Sequence, residues 1–359
     1  SADQGTFEDW VVSKFGRKLY EMFFKTYSEK LWGISCRDLD SDFAAQRIKK
    51  FSLGEAIKNT LGIGAANHKT LVDRFAYPKQ GTGDLYQRMA DAVRANGGEV
   101  HLGTKVARVL SEGASVTGIE LESGETVSSD WVVSTMSLTL MVRTLIEDPS
   151  DELRAALDSL TFRNTILVYL KVDQNQLFPD QWLYVHSEDI GFGRICNFRN
   201  WVPELYGDED GSILSLEYWC YSEDPVWNES DDVLIQLGAL ELKKTGLLES
   251  GEVVDGKVIR IPRCYPVYKV GYREALEVII RELANYDNLI PIGRYGSFKY
   301  NNQDHSILMG LLAAENIEQG SRVNNLWSIN TDYDDYQESA LIDEHGLHLI
   351  DSEAETEKH

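Results

Sequence analysis

Near the C-terminus, the sequence reads GRYGSFKYNNQDHS from Gly293 to Ser306. The apolar run Leu289 to Ile292 precedes this stretch, as expected of a buried strand that ends at a binding site, and an apolar helix is predicted from Ile307 to Ile317. A helix directs its first backbone N–H groups toward the loop before it, where they favour anionic or electron-rich ligand atoms. The stretch therefore predicts a strand, a polar binding loop and a helix N-terminus in succession.

The charge balance disfavours nucleic acid as a partner. The chain of 359 residues carries 58 acidic and 35 basic side chains, which gives a net charge of −23 at neutral pH. Binding to a nucleic-acid backbone requires a basic surface, which this composition does not provide. A small phosphorylated ligand is compatible with it, because a few inward-facing arginines can bind one inside an acidic shell.

The remaining composition is that of an ordinary soluble globular protein, with 43% hydrophobic and 26% charged residues. No apolar run reaches the roughly 20 residues that span a bilayer, and the segment Ser1–Gly5 lacks the basic and apolar regions of a signal peptide. Cys36, Cys196, Cys220 and Cys264 are far apart, which favours buried reduced thiols over a metal site. We therefore expect a cytoplasmic protein, whose oligomeric state is left open.

The hydrophobic periodicity predicts a mixture of helices and strands. Helices are predicted at residues 7–33, 38–60, 84–96, 138–160, 230–247 and 271–286. Strands are predicted at residues 99–102, 105–110, 116–122, 126–128, 131–135, 165–172, 212–221 and 289–292. The segment Gly62 to Asn67 resembles half of a dinucleotide-binding fingerprint, but it follows a helix, so we interpret it as a helix end and a loop.

Three stretches, taken together, resemble one protein family. They are Phe23 to Gly33 (FFKTYSEKLWG), Tyr77 to Leu85 (YPKQGTGDL) with the helix that leads on to Val106, and Tyr265 to Val267 with the Gly293–Ser306 loop. Their order and separation resemble the FAD-dependent superfamily that contains UDP-galactopyranose mutase, amine oxidase and protoporphyrinogen oxidase, and particularly its mutase-like branch. The resemblance covers about residues 7–317. It implies a flavoprotein whose chemistry takes place at flavin N5, without a conspicuous acid–base pair in the protein.

The resemblance also implies a domain order. Residues 1–75 would form a helical substrate cap, residues 76–140 part of the FAD-binding domain, and residues 141–285 a substrate domain. Residues 286–320 would return to the FAD-binding domain with the flavin-facing loop. Residues 321–359 lie beyond the resemblance; their dense carboxylates predict a solvated acidic tail, with a docking segment as the alternative. The expected class is α/β: an incomplete Rossmann-type FAD-binding domain with a β-meander, plus a mixed α+β substrate domain with an antiparallel sheet.

One part of the family pattern is missing from this sequence. In the family, the first βαβ unit carries Gly-x-Gly-x-x-Gly and cradles the FAD pyrophosphate at a helix N-terminus. The present sequence contains no such motif, and its first residues already match a point inside the family pattern. We expect a fragment that lacks roughly the first hundred residues, a domain-scale estimate; a protein that has lost this segment is the alternative. In either case, this chain alone is expected to hold FAD weakly.

For the cofactor, the resemblance implies contacts in two regions. Val106 lies in the strand that passes the adenine, although a plain core valine is an equal alternative. Backbone N–H groups near Gln303 to Ser306 would face the pyrimidine end of the flavin and stabilise negative charge at N1/O2 of its reduced form. The alternatives are that His305 is a surface residue and that Ser306 is a simple helix cap. The cofactor-binding residues predicted in this way are Val106, Gly293, Asn302, Gln303, Asp304, His305 and Ser306.

For the substrate, the resemblance implies five contact residues. Arg294 and Tyr300 match an arginine and a tyrosine that hold the substrate diphosphate, and Tyr265 matches a further phosphate-contacting tyrosine. A guanidinium suits this role because its planar fork donates two parallel hydrogen bonds to phosphate oxygens. Tyr27 and Trp32 match the aromatic pair of the uridine pocket, where an aromatic face stacks on a base. The alternatives are a structural ion pair for Arg294 and, because aromatic residues at helical spacing are typical of a core, a core role for the aromatic pair.

Two departures from the mutase pattern leave the substrate open. Asn302 stands where the mutase has an aspartate, and the stretch Arg47-Ile48-Lys49-Lys50-Phe51 lacks the second arginine of the corresponding mutase segment. Lys49 or Lys50 would replace that arginine only as a point charge. We therefore expect a flavoenzyme that acts on a small molecule such as a nucleotide sugar or a related substrate.

Two other functions are compatible with the same sequence. The first is an FAD oxidoreductase similar to amine oxidase or protoporphyrinogen oxidase, with an apolar pocket to which Trp219, Tyr221 and Phe298 contribute. The second is a non-catalytic remnant of the fold that no longer binds FAD.

Overall fold

A five-stranded antiparallel sheet and a two-stranded parallel sheet organise the computed structural model, which describes residues 5–48, 77–248, 251–329, 340–343 and 346–349. The helices are α1 Phe7–Phe15, α2 Thr26–Trp32, α3 Ser41–Ile48, α4 Thr82–Ala95, α5 Leu138–Leu145, α6 Asp151–Ser159, α7 Asp231–Lys244, α8 Tyr272–Leu283 and α9 Gln303–Glu318. The strands are β1 Val106–Glu112, β2 Ser115–Leu121, β3 Thr126–Ser128, β4 Val132–Ser134, β5 Phe162–Val172, β6 Trp182–Tyr184, β7 Arg194–Asn197, β8 Ser212–Cys220, β9 Val253–Pro266, β10 Leu289–Pro291, β11 Ala340–Asp343 and β12 Gly346–Leu349. Shorter helical segments lie at Arg17–Leu19, Tyr20–Lys25 (a π-helix), Phe198–Trp201, Pro203–Tyr206, Pro225–Asn228, Gly293–Gly296 and Leu326–Ser328.

The larger sheet has the strand order β6-β7-β8-β5-β9, with all neighbours antiparallel. Because side chains alternate along each strand, the two faces of the sheet differ. One face packs against α7 through an apolar core in which Val168 and Leu216 are fully buried. The opposite face carries polar and aromatic side chains, including Arg194 and Glu217, which lie directly across from each other. This second face is called the polar face below.

The N-terminal helices form a cap at the polar face. Thr6 begins α1, because its hydroxyl accepts a hydrogen bond from the Asp9 N–H (3.2 Å) and the Asp9 carboxylate accepts one from the Thr6 N–H (3.3 Å). Gly33 ends α2 with a φ of +66°, and a Cβ there would lie 2.5 Å from the Arg163 guanidinium. The predicted helix at residues 7–33 is thereby confirmed as α1, short helical segments and α2.

The parallel pair β4 and β10 positions the loop after residue 292. Val132 lies opposite Leu289, and the two strands run in the same direction. The Ile292 N–H donates to the Ser134 carbonyl oxygen (2.9 Å). Gly296 then approaches β4 so closely that a Cβ would lie 2.7 Å from the same oxygen. The chain after β10 is therefore held against the end of β4.

The antiparallel sheet β1-β2-β3 is the predicted β-meander. Asn288, just before β10, attaches it to the parallel pair. The Asn288 side chain accepts from the Val116 N–H (2.8 Å) and donates to the Val116 carbonyl oxygen (2.7 Å). The predicted fold class is confirmed: helices and sheets are mixed, and the largest sheet is antiparallel.

The predicted helix at residues 84–96 is confirmed as α4, but its apolar stripe is exposed. Leu85, Met89 and Val93 expose 37, 41 and 46% of their surface. The predicted strand at residues 99–102 is wrong, because the segment has no partner strand in the part of the chain that the structure describes. A strand requires a neighbour that pairs its backbone N–H and C=O groups.

Other elements differ from the prediction for local reasons. The predicted helix at residues 138–160 is divided into α5 and α6, because Pro149 lies between them and cannot donate a helical hydrogen bond. Ser150 then begins α6, and its hydroxyl accepts from the Leu153 N–H (3.2 Å). Residues 293–296, predicted as loop, form one helical turn. The sequence does not predict β6, β7 and β9.

Some predictions fall on residues outside the described ranges. Residues 49–60, with Lys49 and Lys50, and the segment Gly62 to Asn67 lie outside the described residues. In the acidic tail, β11 and β12 pair as an antiparallel hairpin, so part of the tail has regular structure. Among the helices within the described ranges, none is long and apolar enough to cross a membrane.

Candidate functional site

Tyr265 and Tyr300 form the centre of the candidate site. Their rings are stacked, with centroids 5.6 Å apart and an interplanar angle of 20°. The Arg294 guanidinium lies over both rings, 5.1 Å from the Tyr265 centroid and 4.7 Å from the Tyr300 centroid. A cation over an aromatic face is stabilised by the charge distribution of the ring. The structure thus brings together the three residues for which the sequence predicts phosphate contact.

The loop after β10 positions Arg294. Gly293 starts a helical turn with a φ of +77°, a backbone conformation that favours glycine. Arg294 Nε then donates to the carbonyl oxygen of Asn301 (2.8 Å). Over the ranges that the structure covers, no carboxylate lies within ion-pair distance of Arg294, so the alternative of a structural ion pair lacks a partner there. The bond to Asn301 uses only one of the five N–H donors of the guanidinium.

Trp32 closes one side of the tyrosine pair. It is fully buried and packs edge-on against Tyr300 and Tyr265, with centroids 5.7 and 6.2 Å apart. Its indole Nε1 is buried and has no hydrogen-bond partner among the described residues. By burial Trp32 is a core residue, as the alternative interpretation expects, and it is also a wall of the site.

Tyr27 lies further from the loop, between the cap and the polar face. Its ring packs edge-on against Tyr184 and Trp219, with centroids 5.2 and 5.8 Å apart, and it lies 5.4 Å from the His186 ring. Trp219 in turn lies directly on the backbone of Gly193, where a Cβ would be 2.0 Å from the indole ring. Tyr27 is therefore part of an aromatic pocket that is only partly closed, since Tyr184 is half exposed.

A second arginine, Arg194, is a site residue that the sequence analysis does not identify. It extends from β7 on the polar face, and its Nε donates to Glu217 Oε1 (2.9 Å). The other carboxylate oxygen, Glu217 Oε2, is buried and has no hydrogen-bond partner among the described residues. A charged residue inside the apolar run Ser212 to Cys220 is the sequence signal for this pair, but the signal does not name a partner.

Arg163 connects the cap to the sheet beneath the pocket. Its guanidinium donates to the carbonyl oxygens of Trp219 (2.6 Å) and Leu31 (3.2 Å) and lies 4.3 Å from the Tyr221 ring centroid. Burial lowers the pKa of Arg163, which the nearby Tyr221 and Asp224 counteract. This arginine has a structural role, because its donors are used by backbone oxygens.

The N-terminus of α9 lies at the end of the same loop. Asn302 occupies the N-cap position, and its N–H donates to His305 Nδ1 (3.2 Å). The Ser306 hydroxyl donates to the Asn302 carbonyl oxygen (3.1 Å). His305 is buried, so the alternative of a surface residue is wrong, and Ser306 lies within the first turn of the helix rather than at its cap.

The start of α9 is the feature for which the sequence analysis predicts flavin contact. The first turn of a helix directs backbone N–H groups outward, and its dipole favours negative charge there. Gln303 also links the region to α4, because its Oε1 accepts from the Tyr86 hydroxyl (2.8 Å). Within this first turn, the Ser306 N–H already donates to the Asn302 carbonyl oxygen (3.2 Å) and the His305 N–H to the Asn302 side chain, so these two groups serve the cap. The predicted contacts themselves stay predictions.

Val106 lies in the β-meander, which is a different part of the fold from the Gly293–Ser306 loop. It is half-buried at the start of β1 and pairs with Leu121 in the β-meander. Within the described ranges, no hydrogen bond or ring contact joins it to the Gly293–Ser306 loop. Its predicted contact with adenine stays a prediction.

The electrostatics of the site favour binding of an anion. Burial raises the pKa of Tyr27 and of Tyr265 far above the usual range of a phenol, so both hydroxyls stay protonated and act as donors. Burial also raises the pKa of the Cys196 thiol to about 11, which disfavours a thiolate nucleophile. No group of three or more His, Cys, Asp or Glu in the described part of the chain is placed to hold a metal. The arrangement can bind and orient an anionic ligand with a flat ring.

Comparison with protein families gives one match over most of the chain. Residues 5–246 match the family described as flavin containing amine oxidoreductase. The matched range contains Tyr27, Trp32 and Arg194, whereas the Gly293–Ser306 loop lies beyond it.

Comparison with solved structures gives similar folds. The crystal structure of reduced UDP-galactopyranose mutase aligns with a TM-score of 0.77 and 21% identity, covering 92% of this chain and 70% of that one. A protein from Exiguobacterium sp. 255-15 described as a protoporphyrinogen oxidase aligns with a TM-score of 0.61 and 19% identity, covering 82% of this chain and 63% of that one. An oxidoreductase from Methanosarcina mazei aligns with a TM-score of 0.57 and 15% identity, covering 88% of this chain and 68% of that one. At these identities the likeness concerns the fold alone.

Proposed function

The chain belongs to the family of flavin containing amine oxidoreductases. We propose that it is an FAD-dependent enzyme that acts on a nucleotide sugar or a related diphosphate. Family membership makes the protein a flavin-dependent enzyme; the identity of the flavin as FAD and the class of substrate are the proposal. The bound flavin supplies a reactive N5 atom, and the protein's contribution is to bind and orient the substrate beside it. The fold of UDP-galactopyranose mutase, which this chain shares, is compatible with such an arrangement.

The observation that carries the proposal is the Arg294 guanidinium over the stacked rings of Tyr265 and Tyr300. In a protein with a net charge of −23, a partly buried arginine without a carboxylate partner within the described ranges is suited to a ligand anion. A guanidinium binds a phosphate through two parallel hydrogen bonds. The attraction is stronger in a partly dry pocket than in water.

The other residues of the site have complementary roles in this proposal. The protonated hydroxyl of Tyr265 donates to a phosphate oxygen beside Arg294. Tyr27 provides aromatic surface for a flat ring such as a nucleobase. Trp32, which is fully buried, supports the tyrosine pair from behind. The unpaired oxygen Glu217 Oε2 accepts from a hydroxyl of the substrate, because a buried carboxylate oxygen without a donor is otherwise costly.

The binding of FAD is proposed for the residues that fit it. The helix start at Gln303 to Ser306 would stabilise negative charge at the flavin N1/O2 edge, and Val106 would contact the adenine through its backbone. The sequence contains no Gly-x-Gly-x-x-Gly loop for the pyrophosphate of FAD. We therefore expect this chain alone to bind FAD weakly.

Two features of the sequence separate the substrate site from that of the mutase pattern. Asn302 replaces the aspartate of the mutase pattern, and the described residues stop before Lys49 and Lys50. The small-molecule substrate is proposed to be a nucleotide sugar, and the protein is proposed to act in the cytoplasm. No role in binding nucleic acid is proposed, because of the acidic composition.

Two titrations with the full chain test the proposal. Flavin fluorescence is followed while the protein is added to FAD, and UDP binding is measured by calorimetry with uridine and inorganic phosphate as comparison ligands. We expect a saturable change in flavin fluorescence and tighter binding of UDP than of either comparison ligand. Unchanged flavin fluorescence at saturating protein would reject the cofactor, and equal weak heats for all three ligands would reject the substrate class.

An oxidase-type reaction is the second candidate. It requires an apolar pocket rather than an anion site, and Trp219 beside Tyr27 provides aromatic surface for one. The other two residues of that hypothesis fit less well, since Phe298 is fully buried against Phe162 and Tyr221 is covered by Arg163. Oxygen consumption with amine substrates, together with no affinity for UDP, would favour the oxidase. A protein that neither consumes oxygen with amine substrates nor binds UDP or flavin would favour a non-catalytic remnant.

A further inference from the structure

Lys30 holds a loop of the sheet against the cap. The loop consists of residues 185–193, which connect β6 to β7. The Lys30 ammonium lies within hydrogen-bonding distance of four backbone carbonyl oxygens of this loop: Val185 (3.2 Å), Ser187 (2.8 Å), Ile190 (2.8 Å) and Phe192 (3.4 Å). Carbonyl oxygens that converge from one loop on a single cation cannot keep that arrangement when the cation is removed, because they would repel one another and lose their donors.

A buried carboxylate holds the same loop from the other side. Glu241, on α7, accepts from the Gly191 N–H (2.8 Å) and the Phe192 N–H (3.4 Å), and also from the Tyr218 hydroxyl (2.9 Å). Glu241 is itself buried. The loop is therefore clamped between a cation on the cap and an anion beneath the sheet, and each charge is matched by backbone groups of the opposite polarity.

The clamped loop determines the position of two aromatic rings of the pocket. Tyr184 directly precedes the loop and His186 lies within it, and their rings are 5.2 and 5.4 Å from the Tyr27 ring. Burial alone does not hold Tyr184 in place, since half of its surface is exposed. The loop backbone must therefore fix these rings, and Lys30, three residues after Tyr27 in the cap, is the group that fixes the loop to that side of the pocket.

We propose that Lys30 is a positioning residue that clamps the 185–193 loop and thereby sets Tyr184 and His186 as the outer wall of the pocket around Tyr27. The wall determines how the flat ring of the substrate fits. Lys30 itself does not contact the ligand, because an ammonium has three donors and four carbonyl oxygens already surround it. The identity of the flat ring rests on the proposed function; the clamp does not.

Hydrogen exchange in the full chain tests the clamp directly. In Lys30→Met, which keeps an unbranched apolar side chain but has no donors, we expect the amides of residues 185–193 to exchange at least about tenfold faster. Lys18→Met is the matched control, because Lys18 is an exposed lysine of the same cap; its loop exchange should equal that of the wild type. Lys30→Arg should be intermediate, because a planar guanidinium cannot direct its donors to the same four oxygens. Wild-type loop exchange in Lys30→Met would overturn the proposal.

UDP affinity, measured on the same proteins, tests the wall. We expect Lys30→Met to bind UDP at least about fivefold more weakly, a change of about 1 kcal/mol, with Lys18→Met unchanged. Tyr184→Ala provides a second test that leaves the Lys30 clamp intact, and the variant should fold because Tyr184 is half exposed. Its UDP affinity should fall, while the amides of the loop should exchange at the wild-type rate. Full UDP affinity in Tyr184→Ala would overturn the wall. A wild-type protein without UDP affinity would reject the proposed substrate class, whereas the exchange comparison would still decide the clamp.

Discussion

The ring of Tyr265 lies parallel to that of Tyr300, with centroids 5.6 Å apart and an interplanar angle of 20°. The first belongs to the end of β9 in the large sheet, and the second to the loop after β10 in the parallel pair. The stack therefore joins the two sheets at the point where Arg294 covers both rings. Any ligand that Arg294 binds is oriented relative to both sheets at once.

Arg294→Lys is the substitution that tests the anion site most directly. We expect UDP affinity to fall about tenfold to a hundredfold, because an ammonium provides neither the bidentate fork nor the flat surface that stacks on tyrosine. Calorimetry measures the change. Arg281→Lys is the matched control, since Arg281 is exposed and forms a surface ion pair with Glu152; its affinity should be unchanged. An Arg294→Lys protein with wild-type UDP affinity would contradict the role of Arg294 in binding the anion.

Arg163→Met is expected to destabilise the protein by about 3 kcal/mol. The substitution removes the donors to the Trp219 and Leu31 carbonyl oxygens and leaves these buried acceptors unsatisfied. It also removes the cation from the Tyr221 ring. Urea denaturation measures the loss as a lower midpoint with an unchanged slope. Arg154→Met, at a residue exposed on α6, should change the midpoint little, and an equal effect of the two substitutions would contradict the role of Arg163.

The sequence predicts the elements that depend on local pattern. The helix α4, the hairpin of the meander and the succession β10, loop and α9 all follow from apolar periodicity and turn residues, and the structure confirms them. Elements that depend on distant partners are not predictable in this way. Strands β6 and β7 are too short to show alternation, and Gly256 and Pro262 interrupt the alternation of β9. Conversely, residues 99–102 have the pattern of a strand without a partner in the described residues.

The same distinction applies to the site. Arg294 and Tyr300 are close in sequence, and a family pattern is sufficient to select them together with Tyr265. Arg194 meets Glu217 only through the register of β7 on β8, which no local pattern specifies. The clamp by Lys30 joins groups about 155 residues apart in the chain, and its acceptors are backbone oxygens that every sequence possesses. Residues that act on backbone groups of a distant loop are therefore the hardest to recognise from sequence.

Gly193→Ala is expected to disrupt the aromatic pocket. A Cβ at this position would lie 2.0 Å from the Trp219 ring, so the indole must move away from Tyr27 or the strand must shift. We expect a loss of about 2 kcal/mol in stability from overpacking and a lower UDP affinity. Gly310→Ala is the matched control, because nothing lies within 4 Å of a Cβ there.

The control substitution Gly310→Ala is itself expected to change the stability of the protein. Gly310 lies inside α9, where alanine is preferred over glycine, so Gly310→Ala should stabilise the protein by up to about 1 kcal/mol. Thermal unfolding should show a lower melting temperature for Gly193→Ala and a higher one for Gly310→Ala. Equal shifts of the melting temperature would show that the contact between Gly193 and Trp219 does not constrain the pocket.

The contribution of Lys299 to stability is expected to rise at alkaline pH. Burial lowers the pKa of its ammonium from 10.5 to about 8, and its Nζ donates to the Trp327 and Ile329 carbonyl oxygens. Between these two pKa values the folded protein has released the proton while the unfolded chain still binds it. The contribution of Lys299 to stability must therefore increase with pH in this window, by about 1.4 kcal/mol per pH unit, and this gain is lost as the pH falls through about 8.

Lys299→Met isolates this contribution, because other titrating groups are common to both proteins. The unfolding free energies of wild type and Lys299→Met are measured in urea from about pH 7 to about pH 10. Their difference should be constant below about pH 8, and above it the wild type should gain stability relative to the variant. Because Lys299 lies between the predicted phosphate residue Tyr300 and the buried Phe298, this titration also reports on the loop that carries the site. A free-energy difference that is independent of pH would mean that the Lys299 ammonium keeps its ordinary pKa in the folded protein.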